Sequence, residues 1–354
     1  MSDFCLESDI LEIVETTRDI HPLLSGKTIV FTGGMGFLGR YFCRVVEKLN
    51  ESALEAPCKL TLLDNFISSD QNDDFIRDHD NVRFLRHDII QPLDYDGPKP
   101  DYVVHAAGIA SPFHYRAYPL ETLDVSVIGS RNMLDLARRN GARFMFFSSS
   151  EIYGDPDAVH IPTPESYRGY VSCRGPRACY DESKRLGETL CYIYHTHLGI
   201  ETNAVRPFNV YGPGMRENDY RVLPNFASRL KADQPLQLYG TGRQTRTYCY
   251  ITDAINGFFR VMVSGAPGEV YNVGCDKPEI SVHQLVEIIK KVYDGDVKYK
   301  LIEYPDSYPA DEPQRRCPDI RKARLQLKYE PAVSVEDGLR RFLSWTKDNF
   351  VGEQ

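Results

Sequence analysis

Short apolar runs recur along the chain, separated by stretches of helical periodicity, and each run ends in small, polar or acidic residues. Residues 27–32 form a β-rich run that leads directly into Gly33-Gly34-Met35-Gly36-Phe37-Leu38-Gly39, after which residues 40–49 carry apolar positions at helical spacing. Residues 59–63 end in Asp64, 82–85 lead to Asp88-Ile89, 102–105 to Ala106-Ala107-Gly108, and 144–147 to Ser148-Ser149-Ser150-Glu151. Strand alternating with helix over this much sequence predicts an α/β fold with a doubly wound parallel sheet. Ligands of such sheets bind at the carboxyl ends of the strands, which is where these polar residues stand.

Upstream, Ile10, Leu11, Ile13 and Val14 lie among acidic residues and predict a short amphipathic helix in an extension spanning 1–25. Past Glu201 the pattern loosens. A strand ends in Arg206-Pro207-Phe208-Asn209, a helix is expected near 223–230, strands at 236–239 and 270–273, and a helix at 282–292. The expected organisation is a sheet domain over 26–205 and a smaller substrate-holding lobe over 206–354, interleaved with the sheet.

Composition narrows the partners. A chain of 354 residues that is 42% hydrophobic buries a full core, and a formal charge of −8 leaves no footprint for nucleic acid or an anionic membrane. No apolar run approaches the ~20 residues of a membrane span, and Met1-Ser2-Asp3-Phe4 lacks a basic and apolar signal region, so a cytoplasmic location is expected. Nine cysteines without a Cys-x-x-Cys pair read as reduced thiols, with neither a metal site nor a disulfide framework.

The candidate chemistry sits at the strand ends. Gly33, Gly36 and Gly39 allow a tight turn, close approach of a pyrophosphate and close helix packing, with Phe37 and Leu38 between them as further candidate cofactor contacts; the amino end of the helix that follows faces the phosphates. Asp64, with Asn65, stands where an acid accepts from a ribose 2′-hydroxyl; its charge repels a 2′-phosphate, so NAD is expected over NADP. Asp88 and Ile89 are placed to reach the adenine, with Ala106 and Ala107 lining the next strand end. His105 reads as a packed histidine. Tyr180 and Lys184 lie four apart on one helical face, where an ammonium is expected to lower a phenol pKa from its ordinary ~10. Tyr180 then becomes a base toward a sugar hydroxyl, with Ser149 holding the same oxygen. Arginines at 206, 221, 246 and 316 are candidates for holding a diphosphate.

Thr32-Gly33-x-x-Gly36-x-x-Gly39 followed far downstream by Tyr180-x-x-x-Lys184 resembles the extended short-chain dehydrogenases that act on nucleotide sugars, which have a Rossmann-like fold. Ala110-Ser111-Pro112, Ser150-Glu151-Ile152-Tyr153-Gly154-Asp155-Pro156, the run from Gly175 to Glu182, Gln244-Thr245-Arg246 and Pro318-Asp319-Ile320 are similar to the UDP-glucuronate decarboxylases, or UDP-xylose synthases. The likeness runs from about residue 27 to the end. It implies bound NAD, a UDP-glucuronate substrate and a homodimer through a four-helix interface. It further implies catalytic roles for Ser149, Glu151, Tyr180, Lys184 and Arg246. Ser111, Tyr115, Arg177, Asn209, Arg221, Tyr239, Arg246 and Arg316 would contact the substrate, and Glu151 would press against the substrate carboxylate. Related 4,6-dehydratases carry an aspartic acid where this chain has Ser150, so no acid stands ready for a leaving C6 hydroxyl. Ser126 replaces the usual asparagine, Ser183 a glycine, Ser149 a threonine, and Phe113-His114 a Pro-Asn pair. A 4,6-dehydratase or 4-epimerase would share the oxidising half-reaction, and an NAD-binding regulator without turnover is the reading from a different class.

Overall fold

In the computed structural model, residues 4–69, 80–219, 221–303 and 313–352 are described. The apolar runs become strands β1 (Thr28–Thr32), β2 (Lys59–Asp64), β3 (Val82–Arg86), β4 (Tyr102–His105), β5 (Arg143–Phe147) and β6 (Thr202–Pro207). Alternation along them feeds two cores: Ile29, Phe31, Met145 and Phe147 point to one face, and Val30, Phe144 and Phe146 to the other. A strand buried on both faces belongs in a sheet covered by helices on both sides, which is why these runs are almost wholly apolar.

α1 (Glu7–Thr16) precedes β1, and between the strands lie α2 (Phe37–Ser52), α3 (Pro112–Ala117), α4 (Pro119–Asn140) and α5 (Ala178–Leu198). α2 is longer than the periodicity predicts because Phe37 to Gly39 are already helical, with Gly36 as the residue before the first turn. α4 begins on a proline and ends at Gly141 with φ +64, and α5 ends at Gly199 with φ +69, the left-handed stop that glycine supplies without strain. α5 lies close on β5 because Gly187 has no side chain; a Cβ there would overlap the Phe146 ring.

The remaining elements are β7 (Val210–Tyr211), α6 (Val222–Lys231), β8 (Leu236–Tyr239), β9 (Thr245–Arg246), β10 (Cys249–Tyr250), α7 (Ile251–Ser264), β11 (Val270–Val273), β12 (Ile280–Ser281), α8 (Val282–Val292), β13 (Tyr299–Ile302), β14 (Arg315–Arg316), α9 (Arg321–Leu327) and α10 (Val335–Asn349). The seven-stranded sheet runs β11-β6-β5-β4-β1-β2-β3 and all its pairs are parallel. Strand order reverses between β1 and β4, so the crevice expected of a doubly wound sheet opens there. Residue 206 lies inside β6, and the chain returns from the lobe to add β11 at the sheet edge. The lobe itself is built from small sheets: β9 lies between β12 and β14, β7 pairs with β10, and β8 with β13. No helix of the described residues is long and apolar enough to cross a membrane.

Replacing Gly187 by alanine is expected to push α5 off β5 and cost about 1–3 kcal/mol of unfolding free energy, as overpacking does in a filled core. A urea titration of the variant beside the native chain measures it.

Candidate active site

A cavity of about 1010 Å³ opens at the carboxyl ends of β1, β4 and β5. Its wall contains Gly33, Gly36, Phe37, Leu38, Gly39, Asp64, Asn65, Asp88, Ile89, Ala106 and Ala107 at one end. Ser149, Glu151, Tyr180, Lys184 and Arg246 stand with Tyr115, Arg177, Asn209, Arg221, Tyr239 and Arg316 around the rest. Ser111 does not line it; it precedes α3 with its hydroxyl buried and unbonded. Arg206 is also absent from the wall. It is paired with Glu188 at 2.6 Å and donates to the Tyr153 hydroxyl at 2.6 Å, so it braces the fold. Phe226 and Tyr248 line the cavity without having been singled out in the sequence, because nothing local distinguishes them from core aromatics.

The glycine turn fits a dinucleotide. Gly33 has φ +76, and a Cβ on it would lie 2.8 Å from the Ala107 Cα; one on Gly39 would lie 2.5 Å from the Gly33 carbonyl oxygen. The helix amino end behind Gly36 has no side-chain cap, so its N–H groups are left for an anion. The Asp64 carboxylate accepts from the Met35 N–H at 2.9 Å, the Phe66 N–H at 2.8 Å and the Ser69 hydroxyl at 2.9 Å. Two carboxylate oxygens offer about four acceptor sites, so a ribose hydroxyl still finds one. Behind the turn, the Thr32 hydroxyl accepts from the Ala107 N–H at 3.1 Å and meets His105 Nδ1 at 2.8 Å, while Nε2 meets the Val125 carbonyl at 3.0 Å. That set is satisfied by a neutral ring with its proton on Nε2. Burial and the Lys184 charge push His105 down to about 3, so it is a packing histidine. The Ser126 hydroxyl is buried without a hydrogen bond, and the His105 to Val125 bond ties β4 to α4 beside it.

The end of β5 and the first two turns of α5 supply the reacting groups. Lys184 is buried and donates to the Phe147 carbonyl at 2.8 Å, with its ammonium 5.7 Å from the centre of the Tyr180 ring. Tyr180 stacks on Tyr115 at 5.6 Å. Burial pushes the Tyr180 phenol up to about 12, against a hydrogen bond from Ser149 and the Arg221 charge, which pull it down. Burial likewise lowers Lys184 to about 8. The depressed phenol expected from Tyr-x-x-x-Lys is therefore not what the folded chain produces by itself: desolvation outweighs an ammonium directed at a carbonyl.

Glu151 is the centre of a charge cluster. Its carboxylate accepts from Arg177 and Arg316, the second through both terminal nitrogens, one of them at 2.8 Å. Burial opposes its ionisation, but the charges of Arg316 and Arg177 prevail and hold it below the usual carboxylate range. The expected pressure of Glu151 on a substrate carboxylate is thus offset by two cations. Arg177 also reaches Asp181 at 3.5 Å, and Asp181, with one oxygen buried and unbonded, is raised by burial and by Glu151 to about 7. Arg221 is paired with Asp219 at 2.5 Å. Arg246 is fixed by backbone carbonyls of Thr245 at 2.8 Å and Pro313 at 2.6 Å, and Asn209 donates to the Thr247 carbonyl at 2.8 Å.

A parallel sheet with a glycine cradle, an acid after β2 and a buried Tyr–Lys–Ser constellation defines a nucleotide-cofactor enzyme of the short-chain dehydrogenase kind. Residues 29–274 match the model of the NAD dependent epimerase/dehydratase family, and the chain belongs to that family. It is similar to UDP-glucuronic acid decarboxylase 1 of Xenopus tropicalis, 40% identical over 320 residues that cover 90% of this chain and 72% of that one. Among solved structures it is similar to an epimerase of Methanothermobacter thermautotrophicus, with 28% identity, a TM-score of 0.78 and coverage of 95% of this chain and 96% of that one. It is also similar to the UDP-glucuronic acid 4-epimerase of Bacillus cereus in complex with UDP-glucuronic acid and NAD, with 25% identity, a TM-score of 0.73 and coverage of 91% and 100%.

Asp181 gives a pH signature. Its carboxyl is raised from 3.8 to about 7, so the folded protein holds that proton more tightly than the unfolded chain and loses stability as pH rises across that window. Asp181→Asn removes this dependence. Its urea midpoint relative to the native protein is expected to rise between pH 5 and pH 8; a constant or falling difference contradicts the assignment.

Proposed function

We propose that this chain is an NAD-dependent UDP-glucuronate decarboxylase that forms UDP-xylose. The observation that carries the reading is the composition of the wall beside Ser149. Arg177, Arg246 and Arg316 face the cavity there, and Ser150 stands where a dehydratase needs an acid for a leaving hydroxyl. NAD, when bound in the glycine cradle, supplies a reversible hydride acceptor for C4 of the sugar and a positive charge beside the phenol.

Tyr180 removes the proton of the C4 hydroxyl while Ser149 hydrogen-bonds that oxygen. Oxidation at C4 leaves a ketone β to the C6 carboxylate. The C5–C6 bond then breaks, carbon dioxide departs, and the electron pair moves through C5 into the C4 oxygen, where Ser149 and Tyr180 stabilise the enolate. Arg246, locked by backbone carbonyls, orients the carboxylate and assists proton delivery to C5. C4 is reduced again and Tyr180 returns its proton, so no net redox change results. Arg221, Arg316, Asn209 and the Tyr239 backbone hold the uridine diphosphate, and Lys184 holds the nicotinamide ribose.

Two further readings accompany this one. Nine free cysteines support a reducing, cytoplasmic location. α4 and α5 leave Leu120 at 72% and Tyr192 at 63% exposure, together with Leu123, Ile128, Leu186 and Ile193, which supports a homodimer through those two helices of each copy. Sedimentation is expected to give a dimer for the native chain and a monomer for the double variant Leu120→Glu, Tyr192→Glu.

Purified protein given UDP-glucuronate labelled at the carboxyl is expected to release labelled carbon dioxide and a UDP-pentose. Formation of the C4 epimer with its carboxylate intact would overturn the assignment in favour of an epimerase. Tyr180→Phe is expected to lower turnover by about 10²–10⁴-fold, the usual worth of a positioned acid–base group, while still binding NAD. A variant with native turnover would remove Tyr180 from the chemistry.

A further inference from the structure

A redox-neutral cycle works best when the dinucleotide stays in place between turnovers, and the fold contains a device suited to keeping it there. Phe4 lies behind the glycine turn, its ring 5.4 Å from that of Tyr41 and edge-on to it. Tyr41 in turn meets Phe37 edge-on at 5.8 Å, and Phe37 lines the cavity. A row of three rings therefore connects the N-terminal segment to the cofactor cradle. The Arg40 guanidinium packs over the Phe4 ring, 4.1 Å from its centroid.

The same row presses on a second piece of the wall. The Tyr41 hydroxyl donates to the Pro213 carbonyl at 3.1 Å, and Gly214, at φ +90, approaches Phe4 so closely that a Cβ would overlap its ring. The turn over residues 212–215 ends at Met215, which lines the cavity, and the next residue, Arg216, donates to the carbonyl of Ser68, another wall residue, at 2.5 Å. The segment's other end is fixed at the start of α7. Asp9, wholly buried, accepts from the Tyr250 hydroxyl at 2.7 Å, and Glu12 accepts from Thr252 at 2.8 Å, where β10 passes into α7. Between these ends, Glu7 pairs with Lys48 near the carboxyl end of α2 at 3.2 Å.

We propose that residues 4–16 form a strap which clamps the 212–215 turn onto the glycine motif, and that Phe4 thereby sets how tightly NAD is retained. This rests on the NAD-dependent reading above, and Phe4 acts as a positioning residue with no contact to the reacting atoms. A truncated side chain there removes the ring that both the turn and Tyr41 lean on. The turn then opens more often, and the dinucleotide must close it at the expense of its own binding energy.

The test uses full-length Phe4→Ala and Phe4→Leu, stripped of cofactor and titrated separately with NAD and with UDP by calorimetry, with hydrogen exchange read at amides 212–216. The expected result for Phe4→Ala is NAD binding about tenfold weaker, within the usual range of coupling between sites, with a smaller loss for UDP and faster exchange in the turn. Phe4→Leu is expected to lie between, and is read on the same terms if the alanine variant does not fold. NAD binding within about twofold of native, or an equal loss for NAD and UDP, overturns the strap whatever the exchange shows. A native protein that binds no NAD overturns the functional reading instead.

Discussion

A carboxylate cannot be taken out of water without cations to meet it, and the architecture around Glu151 follows from that requirement. Its two guanidiniums come from places far apart in the chain, Arg177 before the first turn of α5 and Arg316 in β14. The pairing brings the lobe's small sheet against the end of β5 and fixes the start of the helix that carries Tyr180 and Lys184. Breaking a buried pair of this kind typically costs about 3–5 kcal/mol, because the abandoned charges remain buried. The cluster therefore holds the lobe to the sheet at the place where the chemistry is proposed to occur.

The same desolvation sets the state of the Tyr180–Lys184 pair. Burial raises the phenol to about 12 and lowers the ammonium to about 8, so the two groups are each shifted toward neutrality. A phenol in that range holds its proton firmly until a further positive charge arrives. In the proposed cycle the same hydroxyl must first accept a proton and later return it, and a base made competent by bound cofactor suits both halves. The Ser149 hydroxyl serves both states, since it is able to donate and to accept.

The lobe returns to the sheet, and the N-terminal segment bridges two helices that cover it. β11 leaves the lobe to extend the sheet beyond β6, and the N-terminal segment runs from α2 to Tyr250 on the outside of the crevice. The Asp9 to Tyr250 contact is buried, whereas the Glu7 to Lys48 pair is largely exposed, so the first is the firmer of the two ties.

Much of this was legible in the residues alone, and the division is physical. Periodicity placed β4, β8, β11 and α8 at their observed bounds, the glycine spacing located the cradle, and the four-residue step from Tyr180 to Lys184 put both on one face of α5, because strand alternation, turn sterics and helical pitch are local properties. The seven-stranded order, the pairing of Arg177 and Arg316 with Glu151, the diversion of Arg206 to Glu188, the place of Ser111 off the wall and the raised phenol belong to the tertiary structure. Each depends on what lies nearby in space from distant parts of the chain, and on how much water the surroundings exclude. Spacing along the sequence can bring two groups to one helix face, but the balance between their charges and their burial is struck by every other segment that packs around them.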